Sequence, residues 1–137
     1  MVIKWVEDFN TGIEEIDIHH VGLFDKINEL LDAIEHGVEL TSIRKLTIFF
    51  ESFLMSHFTL EEVLQQRLGY PDYESHCEQH EQLRKDFSGL MKLIDTEGAS
   101  PHFVSDARDL INNCLKSYIS HINSEDRKLA EFLKSRW

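Results

Sequence analysis

Two histidines four residues apart, His76 and His80 in the stretch ESHCEQHEQL, share a face of any helix that carries them, because a helix turns about 100° per residue. His57 and Glu61 in HFTLEE repeat that step, and His121 in HINSEDRKL is followed by Glu125 at i+4 and Asp126 at i+5. Imidazole and carboxylate without thiolate are donors that suit iron, manganese or zinc. The chemistry on offer is metal coordination, provided that these side chains turn inward and meet.

The elements that must position them are legible as four apolar rows in steps of three and four. The first runs Ile13, Ile16, His20, Leu23, Ile27, Leu30, Ile34, and the second Ile43, Leu46, Phe50, Phe53, His57, Leu60, Leu64. The third runs Tyr73, His76, His80, Leu83, Phe87, Leu90, Ile94, and the fourth Phe103, Ala107, Leu110, Cys114, Tyr118, His121, with Leu129 and Phe132 beyond. The breakers HGVELTS, RLGYPD and DTEGASP separate the rows. Gly37 reads as a helix stop, and Thr41 or Ser42, Asp72 and Ser100 as helix starts. Four helices of about 20 residues joined by short loops predict an all-α fold, an antiparallel up-down-up-down four-helix bundle. The whole chain, residues 1–137, reads as one domain, with residues 1–12 as an N-terminal arm pinned by Trp5 and Phe9.

Five of the eight histidines fill slots in those rows: His20, His57, His76, His80 and His121. His19, His36 and His102 fall outside them and read as solvated. His20 and His57 are equidistant from the junction of residues 38 and 39, His57 and His80 from that of 68 and 69, and His80 and His121 from that of 100 and 101. Each junction lies in a breaker, and antiparallel neighbours set equidistant residues at one height. Four helices therefore deliver a histidine each to one layer. Five imidazoles and two carboxylates exceed the four ligands of a usual zinc site, whereas two ions bridged by the carboxylates accommodate them. On an ideal helix Asp126 lies about 140° from His121, so spacing alone favours Glu125 as the second carboxylate. Two carboxylates buried without a cation are costly, so the metal-free chain should be markedly less stable.

Taken together, IKWVEDFNTGIEEIDIHH, HFTLEE, GYPDYESHCEQH and HINSED resemble the hemerythrin family, specifically its single-domain bacterial members. The resemblance covers nearly the whole chain, and the combined pattern H…HxxxE…HxxxH…HxxxxD is far more specific than any of its parts. It implies a non-haem di-iron centre, with two Fe ions under an oxo or hydroxo bridge, that binds O2 reversibly. It also implies that His76, His80 and His121 hold one iron, that His20 and His57 hold the other, and that Glu61 and Asp126 bridge them. The i+5 step belongs to the family, so Asp126 is preferred to Glu125 on resemblance, not on geometry. The two-histidine iron would take O2, and Leu23, Phe24, Phe58, Tyr118 and Ile122, each near a ligand in sequence, are candidates for the O2 pocket.

The chain departs from the family where Trp-Leu is common ahead of the fourth-helix histidine: it has Ser117 and Tyr118. It also carries Leu129 for a frequent tyrosine and Gln65 for the usual methionine. Tyr118 is expected to donate a hydrogen bond into the pocket, narrow it or supply an electron, and so to shorten the life of the O2 adduct or turn it toward peroxide or NO. The implied function is O2 carriage, storage or sensing. The competing readings are a di-iron redox enzyme (oxidase, peroxidase or NO-handling) and an iron-handling protein. No arrangement supports acid–base or nucleophilic catalysis, so the chain reads as a binder and not an enzyme.

Composition excludes other partners. A net charge of −11 opposes binding to nucleic acid or to an anionic membrane surface, and no apolar run reaches the roughly 20 residues of a membrane span. Two cysteines, Cys77 and Cys114, are too few for a disulfide framework and read as free thiols in a reducing cytoplasm.

Overall fold

The computed structural model describes residues 4–136; residues 1–3 of the expected arm, and residue 137, lie outside the described residues. Four helices form the antiparallel bundle: α1 (Glu14–Glu35), α2 (Leu40–Leu68), α3 (Tyr73–Glu97) and α4 (Phe103–His121). A π-helical turn, Ile122–Asp126, carries α4 directly into α5 (Arg127–Ser135). α1 packs against α2 and α4, and α3 packs against the same two. No helix among the described residues is long and apolar enough to cross a membrane.

Local contacts at the helix ends mark where these elements begin and end. The Asp17 carboxylate accepts from Thr11 N and Oγ1, both at 2.8 Å, and from Gly12 N at 3.1 Å, which draws the arm against the start of α1. α2 ends where Gly69 adopts φ 67° and Tyr70 N donates back to Gln65 O at 2.9 Å, the left-handed stop that glycine tolerates best. Gly37, also at φ 67°, follows α1 in the same way. The starts differ in part from expectation. Asp72 occupies the N-cap position of α3, but Glu39 occupies that of α2 and His102 that of α4, none with a side-chain capping hydrogen bond, and His102 N donates to Ser100 Oγ at 3.2 Å.

The buried rows are close to those read from the sequence, with one rotation. On α2 the inward face is Ile43, Thr47, Phe50, Leu54, His57, Phe58, Glu61 and Gln65. Leu46, Phe53, Leu60 and Leu64 are only half-buried, because Thr47, Glu61 and Gln65 take positions on that face beside His57 and mislead a purely apolar count. On α4, Ile111 and Leu115 are buried whereas Leu110 is half-buried. In the arm the Trp5 ring meets Phe9 at 5.3 Å, and Phe24 and His20 of α1 at 5.1 Å and 5.8 Å. At Gly22 the first two helices approach so closely that a Cβ would stand 2.9 Å from Phe53 Cζ.

Candidate metal centre

Each bundle helix delivers its donors to one buried layer. α1 supplies His20, α2 His57 and Glu61, α3 His76 and His80, and α4 His121, while the π-turn supplies Asp126. Six of the seven are fully buried and His121 is 3% exposed. The π-turn resolves the conflict between spacing and resemblance. Its wider turn rotates each residue less than an α-helix does, so Asp126 returns beneath His121, with 3.1 Å between Oδ1 and Nε2. Glu125, favoured by ideal spacing, pairs instead with exposed Lys128 at 3.7 Å.

The donors gather in two groups. Glu61, His76, His80, His121 and Asp126 offer five atoms within 4.8 Å of one another, and His20, His57, Glu61 and Asp126 offer four within the same span. Both carboxylates belong to both groups, and each divides its oxygens between them. Asp126 turns Oδ2 to His20 Nε2 at 3.0 Å and Oδ1 to His76 and His121, each at 3.1 Å. Glu61 turns Oε2 to His57 Nε2 at 3.5 Å and Oε1 to His80 at 3.1 Å and His76 at 3.7 Å.

These contacts are short, yet none of the five Nε2 atoms or the four carboxylate oxygens makes a hydrogen bond. Nine buried polar atoms that converge at ion-pair distance without a hydrogen bond are expensive unless something positive lies among them. The donor set fits two hard or borderline metal ions bridged by carboxylates.

Behind the layer, three imidazoles are held by their outer nitrogens. His80 Nδ1 meets Glu62 Oε2 at 3.1 Å, and Glu62 Oε1 accepts from the Cys77 thiol at 3.3 Å. His121 Nδ1 meets Gln79 Oε1 at 2.8 Å. Both partners are acceptors, so these rings carry their proton outside and present a bare Nε2 inward. His57 Nδ1 meets His19 Nδ1 at 3.2 Å, so one ring donates and the other accepts. His19 is therefore not simply solvated: it stands against His57 and Phe53, whereas His36 is exposed as expected. Sequence reasoning missed Glu62, Gln79 and His19 as partners, and their only signal was position beside a ligand.

Electrostatics within the layer favour charged carboxylates. Burial and the neighbouring Asp126 push Glu61 up, but the surrounding imidazoles outweigh them and hold it at about 2. Asp126 is likewise held well below its ordinary range against burial, chiefly by His121. Burial would lower His76, yet Asp126 and Glu61 raise it to about 9, while burial prevails at His57 and lowers it to about 4.

Leu23, Phe24, Phe58, Tyr118 and Ile122 are all buried in the large apolar cluster. Phe58 stacks on His80 at 3.9 Å, and Tyr118 stands perpendicular to His20 at 6.0 Å. Burial pushes the Tyr118 phenol well above its ordinary value, helped by the charges of Asp126 and Glu61.

Known proteins resemble this chain along its length. Residues 11–133 match the family described as the hemerythrin HHE cation binding domain. A bacteriohemerythrin of Pseudomonas aeruginosa is 36% identical over 79 residues, covering 58% of this chain and 51% of that protein, so the chain spans about half the length of the relatives it matches there. A bacteriohemerythrin of Stenotrophomonas maltophilia is 25% identical over 98% of this chain and 83% of its own. A myohemerythrin of Theromyzon tessulatum is 29% identical over 69% of this chain and 72% of its own. With its buried histidine–carboxylate layer and a match across almost its full length, the chain belongs to the hemerythrin family.

Proposed function

We propose that this chain is a non-haem di-iron protein that binds O2 reversibly, in carriage, storage or sensing, and that its role is binding rather than catalysis. One observation carries the reading: both buried carboxylates split their oxygens between a five-donor and a four-donor group. His76, His80 and His121 would hold one iron and His20 and His57 the other, with Glu61, Asp126 and an oxo or hydroxo group between them. Two irons so held supply reversible two-electron exchange with O2.

The chain's own residues supply the rest. The four-donor side would give its metal fewer protein ligands, and Leu23, Phe24, Phe58 and Ile122, all buried, would wall the O2 pocket against water. Glu62 and Gln79 fix the tautomers of His80 and His121. The free thiols of Cys77 and Cys114 suit a reducing cytoplasm.

Anaerobic reconstitution with ferrous iron, followed by O2 titration, tests this directly. A visible band should appear on oxygenation and vanish under vacuum. Iron content well below two per chain, or O2 uptake without a reversible band, would sink the reading. Catalytic consumption of O2, peroxide or NO would replace it with a redox enzyme.

A further inference from the structure

Tyr118 carries a hydroxyl that the fold does not use. The residue is 2% exposed, and no described protein group pairs with its Oη. A phenylalanine would fill the same space without the desolvation cost of an orphaned hydroxyl. The ring is anchored on its flanks, with Phe58 nearly parallel at 6.3 Å and Phe87 edge-on at 6.3 Å. Of the imidazoles around it, His20 is nearer, at 6.0 Å, than His121, at 6.4 Å. His20 belongs to the four-donor group, and the phenol lies within electrostatic reach of both shared carboxylates. A buried donor without a protein acceptor therefore stands beside the layer, its ring packed against His20 of the four-donor group.

We propose that Tyr118 is the hydrogen-bond donor to a small polyatomic anion bound on the His20–His57 side, and so selects ligands that present a second acceptor atom beyond the one on the metal. The proposal rests on the di-iron reading and adds to it a residue of this chain that chooses among the ligands of that side. Tyr118 does so by contact with the ligand rather than through His20, because its hydroxyl touches no protein donor or acceptor.

Azide is the probe. Wild type and Tyr118→Phe are loaded with iron, oxidised, assayed for metal and titrated with azide through the visible charge-transfer band. Both should hold two irons per chain, and azide should bind the variant roughly 10- to 100-fold more weakly, the range for a hydrogen bond to a charged group. Vibrational spectra of bound azide should shift in heavy water in wild type and not in the variant. Metal-free Tyr118→Phe should melt no lower than wild type, since it loses no protein acceptor.

Equal azide affinity with two irons in each protein overturns the role of Tyr118 and leaves the di-iron reading standing. A metal-free variant that melts several degrees lower also overturns it, since the hydroxyl would then serve the fold. Wild type that takes up no iron removes both.

Discussion

An imidazole offers two nitrogens, and whatever holds the outer one decides how strongly the inner one donates. At this centre the outer partners differ in kind: a carboxylate behind His80, an amide behind His121 and a second imidazole behind His57. Glu62 is the only charged one, and its side chain is 27% exposed. Glu62→Gln keeps the shape and removes the charge, so His80 becomes a poorer donor. Iron affinity, measured by competition with a chelator, should fall about tenfold, and the reduction potential should rise. Unchanged affinity would reduce Glu62 to a surface acid. The five inward histidines were legible because each takes an apolar slot at helical spacing. Glu62, Gln79 and His19 were not, because each sits one position from a ligand, about 100° around its helix. Whether a polar residue there meets a ring depends on how two helices abut, which spacing does not encode.

Among the elements, the π-turn has the largest consequence for its size. Five residues, Ile122–Asp126, absorb one residue more than an α-helical turn would, so Asp126 enters the layer while α5 keeps Leu129, Ala130 and Leu133 buried. Helical spacing could not foresee this, since periodicity assumes one pitch throughout, and only the family resemblance favoured Asp126. The turn yields a paired test. Asp126→Asn should lose most of the bound iron by metal analysis, while Glu125→Gln should retain it, because Glu125 pairs with Lys128 outside the layer. The reverse pattern would mean that the segment is wound as a regular helix. The same assumption of uniform pattern rotated the expected face of α2, where Thr47, Glu61 and Gln65 are buried and the apolar Leu60 and Leu64 are not.

On the scale of the whole molecule, the buried histidine–carboxylate layer interrupts the core. A large apolar cluster lies to one side, and a smaller one built on Ile13, Ile16, Tyr70, Leu129, Ala130 and Leu133 lies to the other. The layer between them must be neutralised, by protons or by cations, and the two alternatives respond oppositely to pH. In the metal-free protein His76 is raised from 6.5 to about 9, so its stabilising proton is fully effective below 6.5 and is lost as pH rises through 9. His57 is lowered from 6.5 to about 4, so folding loses stability as pH falls from 6.5 toward 4. Glu61, held at about 2, contributes above its ordinary 4.5 and loses that contribution as acid approaches 2. These three groups predict a stability maximum near pH 6.5 for the metal-free chain. Iron held by His76 would displace its proton, so binding should release protons and strengthen from pH 6.5 toward 9. At about a thousandfold excess of metal over its dissociation constant, the gain is about 4 kcal/mol, or roughly 10–20 °C in melting temperature. Melting curves of chelated and iron-loaded protein should therefore diverge as the solution is made alkaline. Parallel curves across that range would mean that the buried layer is neutralised in some way that does not involve a metal.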